Sequence, residues 1–199
     1  MPNRSLHRMR RRRIGELSVR PINALALMRM KPTTKDLQKS IRVICKVIGQ
    51  IPCFYLYEEH VACRFSTSDA EISLRAMTHN AALDSTLISL RCFNEFFSAD
   101  RHKDDIRASD FPGVTMQPFL QAKEATAIHK YLAHITATRS GILTKPWFVD
   151  SMVLLGLQHG IAFLSAIEAT FPPTTEAGRA ELRGVRDAAR LLIPKITNR

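Results

Sequence analysis

The chain reads as an all-α protein, a helical bundle of five to six helices with a disordered basic N-terminal arm. Two observations lead there. Apolar residues recur at spacings of three and four through the long segments, and no run of alternating residues calls for a sheet. Pro and Gly fall between these segments and mark where helices stop. At 199 residues, 45% hydrophobic and 24% charged, the chain suits one ordinary globular domain with an appendage, large enough to bury a core without staples.

Charge divides the chain at about residue 31. Residues 1–31 hold nine Arg or Lys against one acid, Glu16, so +8 of the net +11 sits there and the other 168 residues carry +3. Residues 1–31 are therefore read as the arm and 32–199 as the domain. Arg10, Arg11, Arg12 and Arg13 are the candidate nucleic-acid contacts, offering non-specific attraction to RNA phosphates. No apolar stretch of the kind export requires follows them, because Gly15 and Glu16 come after Ile14 alone. Ile22–Met28 is apolar but interrupted by Asn23 and closed by Arg29. A disordered extension is expected, with a transit peptide or a start at Met28 or Met30 as the alternatives.

Pro32-Thr33-Thr34 opens the domain. Leu37, Ile41, Ile44 and Ile48 give the first amphipathic helix over Asp36–Ile48, with Thr34 as its cap, and Gly49 to Pro52 breaks it. Cys53–Phe65 is mixed: its aromatic residues favour a strand and its EEHVACR run favours a helix, which we place from about Tyr55. Ser68–Ser98 carries the longest helical pattern of the first half. Ser68 or Asp69 caps it, Glu71 stands at capping-box distance, and Leu83, Leu87, Leu90, Phe93 and Phe97 form one stripe. A charged loop over 99–117 ends at Pro112-Gly113. Pro118–Arg139 reads as a helix with Ala125, Ile128, Leu132 and Ile135 inward, and Ser140-Gly141 stops it.

Pro146–Phe171 is apolar nearly all round, from Trp147 to Ile167, as a central buried helix would be. A membrane span needs about 20 apolar residues, and Asp150, Gln158 and His159 interrupt this one. Gly156 and Gly160 would let a neighbouring helix come close. After Pro172-Pro173 a last helix, capped by Thr174 or Thr175, turns Leu182, Val185, Ala189 and Leu192 inward. Its other faces carry Arg179, Arg183, Arg186 and Arg190, and Pro194 ends it.

Cys45, Cys53, Cys63 and Cys92 form no C-x-x-C pair and share no ligand rhythm with histidine. Reduced thiols in a cytoplasmic protein are expected. Neither a metal nor a cofactor is expected. Asp104, Asp105 and Asp110 are dense enough to suggest a hard cation, but Arg101, Lys103 and Arg107 stand among them. No Gly-rich phosphate loop, G-x-S-x-G or H-E-x-x-H occurs.

Three stretches gather the polar groups: Leu90–Phe97 (LRCFNEFF), Asp104–Phe111 (DDIRASDF) and His129–Thr136 (HKYLAHIT). Asn94 lies in the middle of an apolar stripe and has to find partners or cost about 1–3 kcal/mol. It is expected to tie two helices, through the loop backbone or a polar group of the next helix. Arg91 and Glu95, four apart, can pair. His134 falls about 120° from the centre of its helix's apolar stripe, with Lys130 on the same face and His129 about 140° away. An imidazole beside a cation that disfavours its protonation is suited to proton transfer next to a phosphate.

From about Asn80 to Arg139, in NAALDSTLISLRCFNEFF, DDIRASDF and IHKYLAHITATR, the chain resembles the HEPN-type helical domains, particularly uncharacterised bacterial proteins of that superfamily. The resemblance implies a dimer and, in many members, a metal-independent ribonuclease marked by an arginine four to six residues before a histidine. Here the histidine is His134, while the arginine positions hold His129, Ile128 and Ala127. Two functions are therefore in view. One is a dimerising binding or regulatory module in which Asn94, Arg91 and the aspartates are structural. The other is a ribonuclease of toxin or defence type, with His134 as acid/base and Lys130, His129 and Arg91 as the available cations.

Overall fold

The computed structural model describes residues 31–64, 68–99, 105–133 and 148–198. These form an all-α bundle of five long helices and one short one: α1 (Thr34–Gln50), the short α2 (Cys53–His60), α3 (Asp69–Phe96), α4 (Ala122–Ala133), α5 (Val149–Thr170) and α6 (Glu176–Thr197). Among the described residues there is no strand.

α5 is the centre. Val153, Phe163, Leu164 and Ile167 have no exposed surface, and each such side chain contributes about 1.5–3 kcal/mol on burial. Its two glycines explain how neighbours reach it. A methyl at Gly156 would lie 2.8 Å from Leu90 Cδ2 and 3.3 Å from Ile51, and one at Gly160 would lie 2.9 Å from Ile48 Cγ2. So α1 and α3 both approach α5 over its small residues. α6 packs along α5 and also against α1. The first helix is stitched to the link that leads into the last one: the Gln38 amide donates to Pro172 O at 3.2 Å and accepts from Thr174 N at 3.1 Å.

Helix ends differ from the sequence expectation where distant groups intervene. α1 is capped by Thr33, not Thr34, because Asp36 reaches back to the Thr33 amide (3.0 Å) while the Thr33 hydroxyl accepts from Asp36 N (3.2 Å). α2 starts at Cys53, ahead of Tyr55, since the buried Thr86 hydroxyl of α3 accepts the Phe54 amide at 2.9 Å. α5 begins at Val149 rather than Pro146. Pro194 does not end α6, which runs on to Thr197. Ile196 is buried beyond the proline, and the Thr197 hydroxyl donates to Ile193 O at 2.9 Å.

The 105–121 segment is folded closely onto the bundle. It makes a 3₁₀ turn at Ala108–Asp110 and buries Phe111 and Val114. Gly113 has φ +73°, and a Cβ there would meet Thr170 Cγ2 at 2.8 Å, so glycine is required on both counts. Thr170 in turn donates to Pro112 O at 2.7 Å. Phe163 sits among the edges of Phe96, Phe97 and Phe111, with centroids 5.2–5.9 Å away, which fastens α3, the segment and α5 together.

Candidate functional site

The site begins with Asn94. It is 8% exposed on the buried stripe of α3, and its Oδ1 accepts two backbone amides, Phe119 N at 2.9 Å and Leu120 N at 2.8 Å. Those two amides are thereby held out of a helix, so α4 starts at Ala122 and not at Pro118. Glu124 then reaches back to Gln121 N at 2.8 Å and completes the start. His159 braces the same segment from α5. Its Nε2 lies 3.0 Å from Gln117 O, and its ring meets Phe97 at 5.5 Å and Phe119 at 5.0 Å.

Arg107 holds the other side. It is 7% exposed, donates to Glu95 O at the end of α3 and pairs with Asp105. Its own amide donates to Asp110 Oδ2 at 2.9 Å, closing the 3₁₀ turn. The aspartates are therefore partly spent on an arginine and a turn. Among the described residues no three His, Cys, Asp or Glu side chains gather to hold a metal ion.

Between α1, α3 and residues 105–107 lies an open cleft of about 620 Å³. Val43, Ile44, Val47, Phe93, Phe96 and Ile106 wall it. Arg91 and Glu95 stand at its rim, paired at 2.7 Å. Cys92 also lines it. Burial and then the nearby Glu95 carboxylate push its thiol up, the opposite of what a nucleophile needs. Cys45 is buried. Cys45, Cys53 and Cys92 are all free.

Lys130 and His129 lie exposed on α4, and no α4 residue lines the cleft that Arg91 borders. The cations proposed to act together thus do not share this cavity. His134, Asp104 and Arg10–Arg13 lie outside the described residues, as do Ile135 and Trp147. Sequence reasoning missed the anchoring roles of Arg107 and His159. Nothing in the run of charges from Asp100 to Arg107 marks the one that becomes buried, and His159 is bound through Gln117, 42 positions away.

The arginines of α6 are engaged rather than free to act as a basic face. Arg179 and Arg183 share Glu176 at 2.9 and 2.8 Å, Arg186 pairs with Glu168 of α5, and Arg190 pairs with Asp187. On α3, in contrast, Leu74, Met77 and Ile88 point outward at 50%, 70% and 49% exposure. Compared with protein-family models, with curated proteins and with solved structures, the chain matches none.

Proposed function

We propose that the chain is a HEPN-like helical module that dimerises and binds a partner, and that it regulates rather than catalyses. One observation carries this: the polar side chains that border the α1–α3 cleft and its supporting segment are committed to the framework. Asn94 is used on two amides, Arg91 on Glu95, and Arg107 on Asp105 and a carbonyl. The space they border is mostly apolar, a form suited to holding a ligand or a partner helix. The outward line of Leu74, Met77, Ala81 and Ile88 supports self-association through α3, since such a line on one helix face is what a second copy covers. A reducing, cytoplasmic setting belongs to the same proposal, supported by the free thiols. A membrane partner does not. α5 is apolar enough by composition to cross a bilayer, but Met152, Val153, Leu157, Phe163, Leu164 and Ile167 are buried in the bundle core.

The test is incubation of an end-labelled RNA pool in EDTA with wild type and with His134→Ala, both confirmed folded. Neither should cleave. Cleavage by wild type that is lost in His134→Ala would overturn the proposal in favour of the metal-independent ribonuclease. Sedimentation equilibrium should give a dimer for wild type and a monomer for Met77→Glu with unchanged helicity, and a monomeric wild type would remove the dimer from the proposal.

A further inference from the structure

We infer that the outward crest of α1 is a docking surface for the phosphate backbone of a nucleic acid, distinct from both the apolar cleft and the arm. It stands whether or not α3 joins two copies. Lys35, Lys39, Arg42 and Lys46 recur at spacings of four, three and four and are all exposed. At ideal geometry they fall within about 60° of one another and run along about 16 Å of helix axis. The helix has one acid, Asp36, which is folded into the Thr33 capping box on the neighbouring flank. Arg42 faces Glu181 at 3.5 Å, and among the described residues no ion pair engages Lys35, Lys39 or Lys46. The four cations and one acid of α1 equal the whole +3 of residues 32–199, so the net charge of the domain is gathered on this one helix.

The surroundings favour a phosphate. The crest borders a second cleft, of about 510 Å³, between α1 and α6. Lys35, Lys39 and Arg42 line one side, with Glu181 the one acid. Thr174, Thr175 and Gly178, at the first turn of the 22-residue α6, line the other. Aligned peptide dipoles make such a turn favourable to anions, and although the turn carries Glu176, that carboxylate is paired with Arg179 and Arg183. A stacked strand presents a phosphate about every 3.4 Å, so about five fit along the crest. An anionic bilayer would gain from apolar side chains entering it beside the lysines. The apolar face of α1 (Leu37, Ile41, Ile44, Ile48) is instead buried against the bundle, and Val43 is the large apolar side chain that α1 exposes beside the crest. The arginines of α6 already have carboxylate partners, whereas three of the four crest cations are in no ion pair among the described residues.

The experiment titrates fluorescein-labelled U20 RNA with the full chain over a series of salt concentrations. It compares wild type, a crest variant (Lys35→Gln, Lys39→Gln, Lys46→Gln) and a charge-matched control (Arg75→Gln, Lys123→Gln, Lys195→Gln). The arm is common to all three. Each lost phosphate contact on a single strand removes about 0.7 from the slope of log K against log salt, so the crest variant should be shallower by about 2. It should also bind at least about tenfold more weakly at low salt, with an unchanged melting temperature and with the control behaving as wild type. Equal slopes and affinities in the crest and control variants would overturn the inference, as would absence of RNA binding by wild type. Loss of binding to phosphatidylserine vesicles without loss of RNA binding would overturn it too, assigning the crest to lipid.

Discussion

Replacing Asn94 with alanine leaves the amides of Phe119 and Leu120 without their acceptor in a largely dry place. The expected cost is about 1–3 kcal/mol. For a domain of this size that is a fall in Tm of roughly 2–4 °C per kcal/mol, read by thermal melting. Asn94→Asp keeps the oxygen and should recover much of the loss, whereas an Asn94→Ala protein melting with wild type would show the tie to be dispensable. Arg107→Met should be comparably harmful, since it removes the anchor of residues 105–110, its bond to Glu95 O and its pairing with Asp105. Asn94 was legible in the sequence because an amide in an apolar stripe demands an explanation. Its partners were not, lying 25 and 26 positions further on in a segment whose composition resembles a helix start. Arg107 was legible only as one charge among several.

Glycines separate two kinds of helix face. Gly184, on the exposed side of α6, has nothing within 4 Å of an added methyl. Gly184→Ala should therefore gain up to about 1 kcal/mol from helix propensity alone. Gly160→Ala has the same propensity gain but drives a methyl to 2.9 Å from Ile48 Cγ2, on a β-branched side chain with little rotamer freedom. It should come out destabilising, by about 1 kcal/mol, in denaturant titrations. The periodicity of three and four placed the long helices and picked out α5 as central, because those signals are local. Helix ends were less legible wherever a remote group set them: Thr86 draws out the start of α2, Asn94 delays α4, and buried Ile196 carries α6 past Pro194. The crest of α1 was also present in the sequence, but only packing of the opposite face shows that it is left to solvent.

The molecule as a whole should lose stability at both ends of the pH scale for identifiable reasons. The Thr33 side chain, then its amide, holds the Asp36 carboxyl below the ordinary range. Arg179 and then Arg183 do the same for Glu176. A depressed carboxylate contributes stability above its unfolded pKa and loses it as pH falls, so the first turns of α1 and α6 should weaken below about pH 4. At the other end, burial and then Glu181 push the Cys45 thiol up to about 11. A raised thiol contributes stability below the unfolded value near 9 and loses it as pH climbs through about 11. Thermal melts of wild type, Asp36→Asn and Cys45→Ser across both ranges check the signs: each variant should flatten its own limb and leave the other alone. Both limbs involve α1 and its junction with the start of α6, where Gln38 binds the link before that helix across 134 and 136 positions. On the ribosome that pairing imposes an order. The groups that seat Gln38 are made 134 and 136 residues after it. The apolar face of α1 therefore stays uncovered on that side while those residues are added, the interval in which a chaperone would have something to hold.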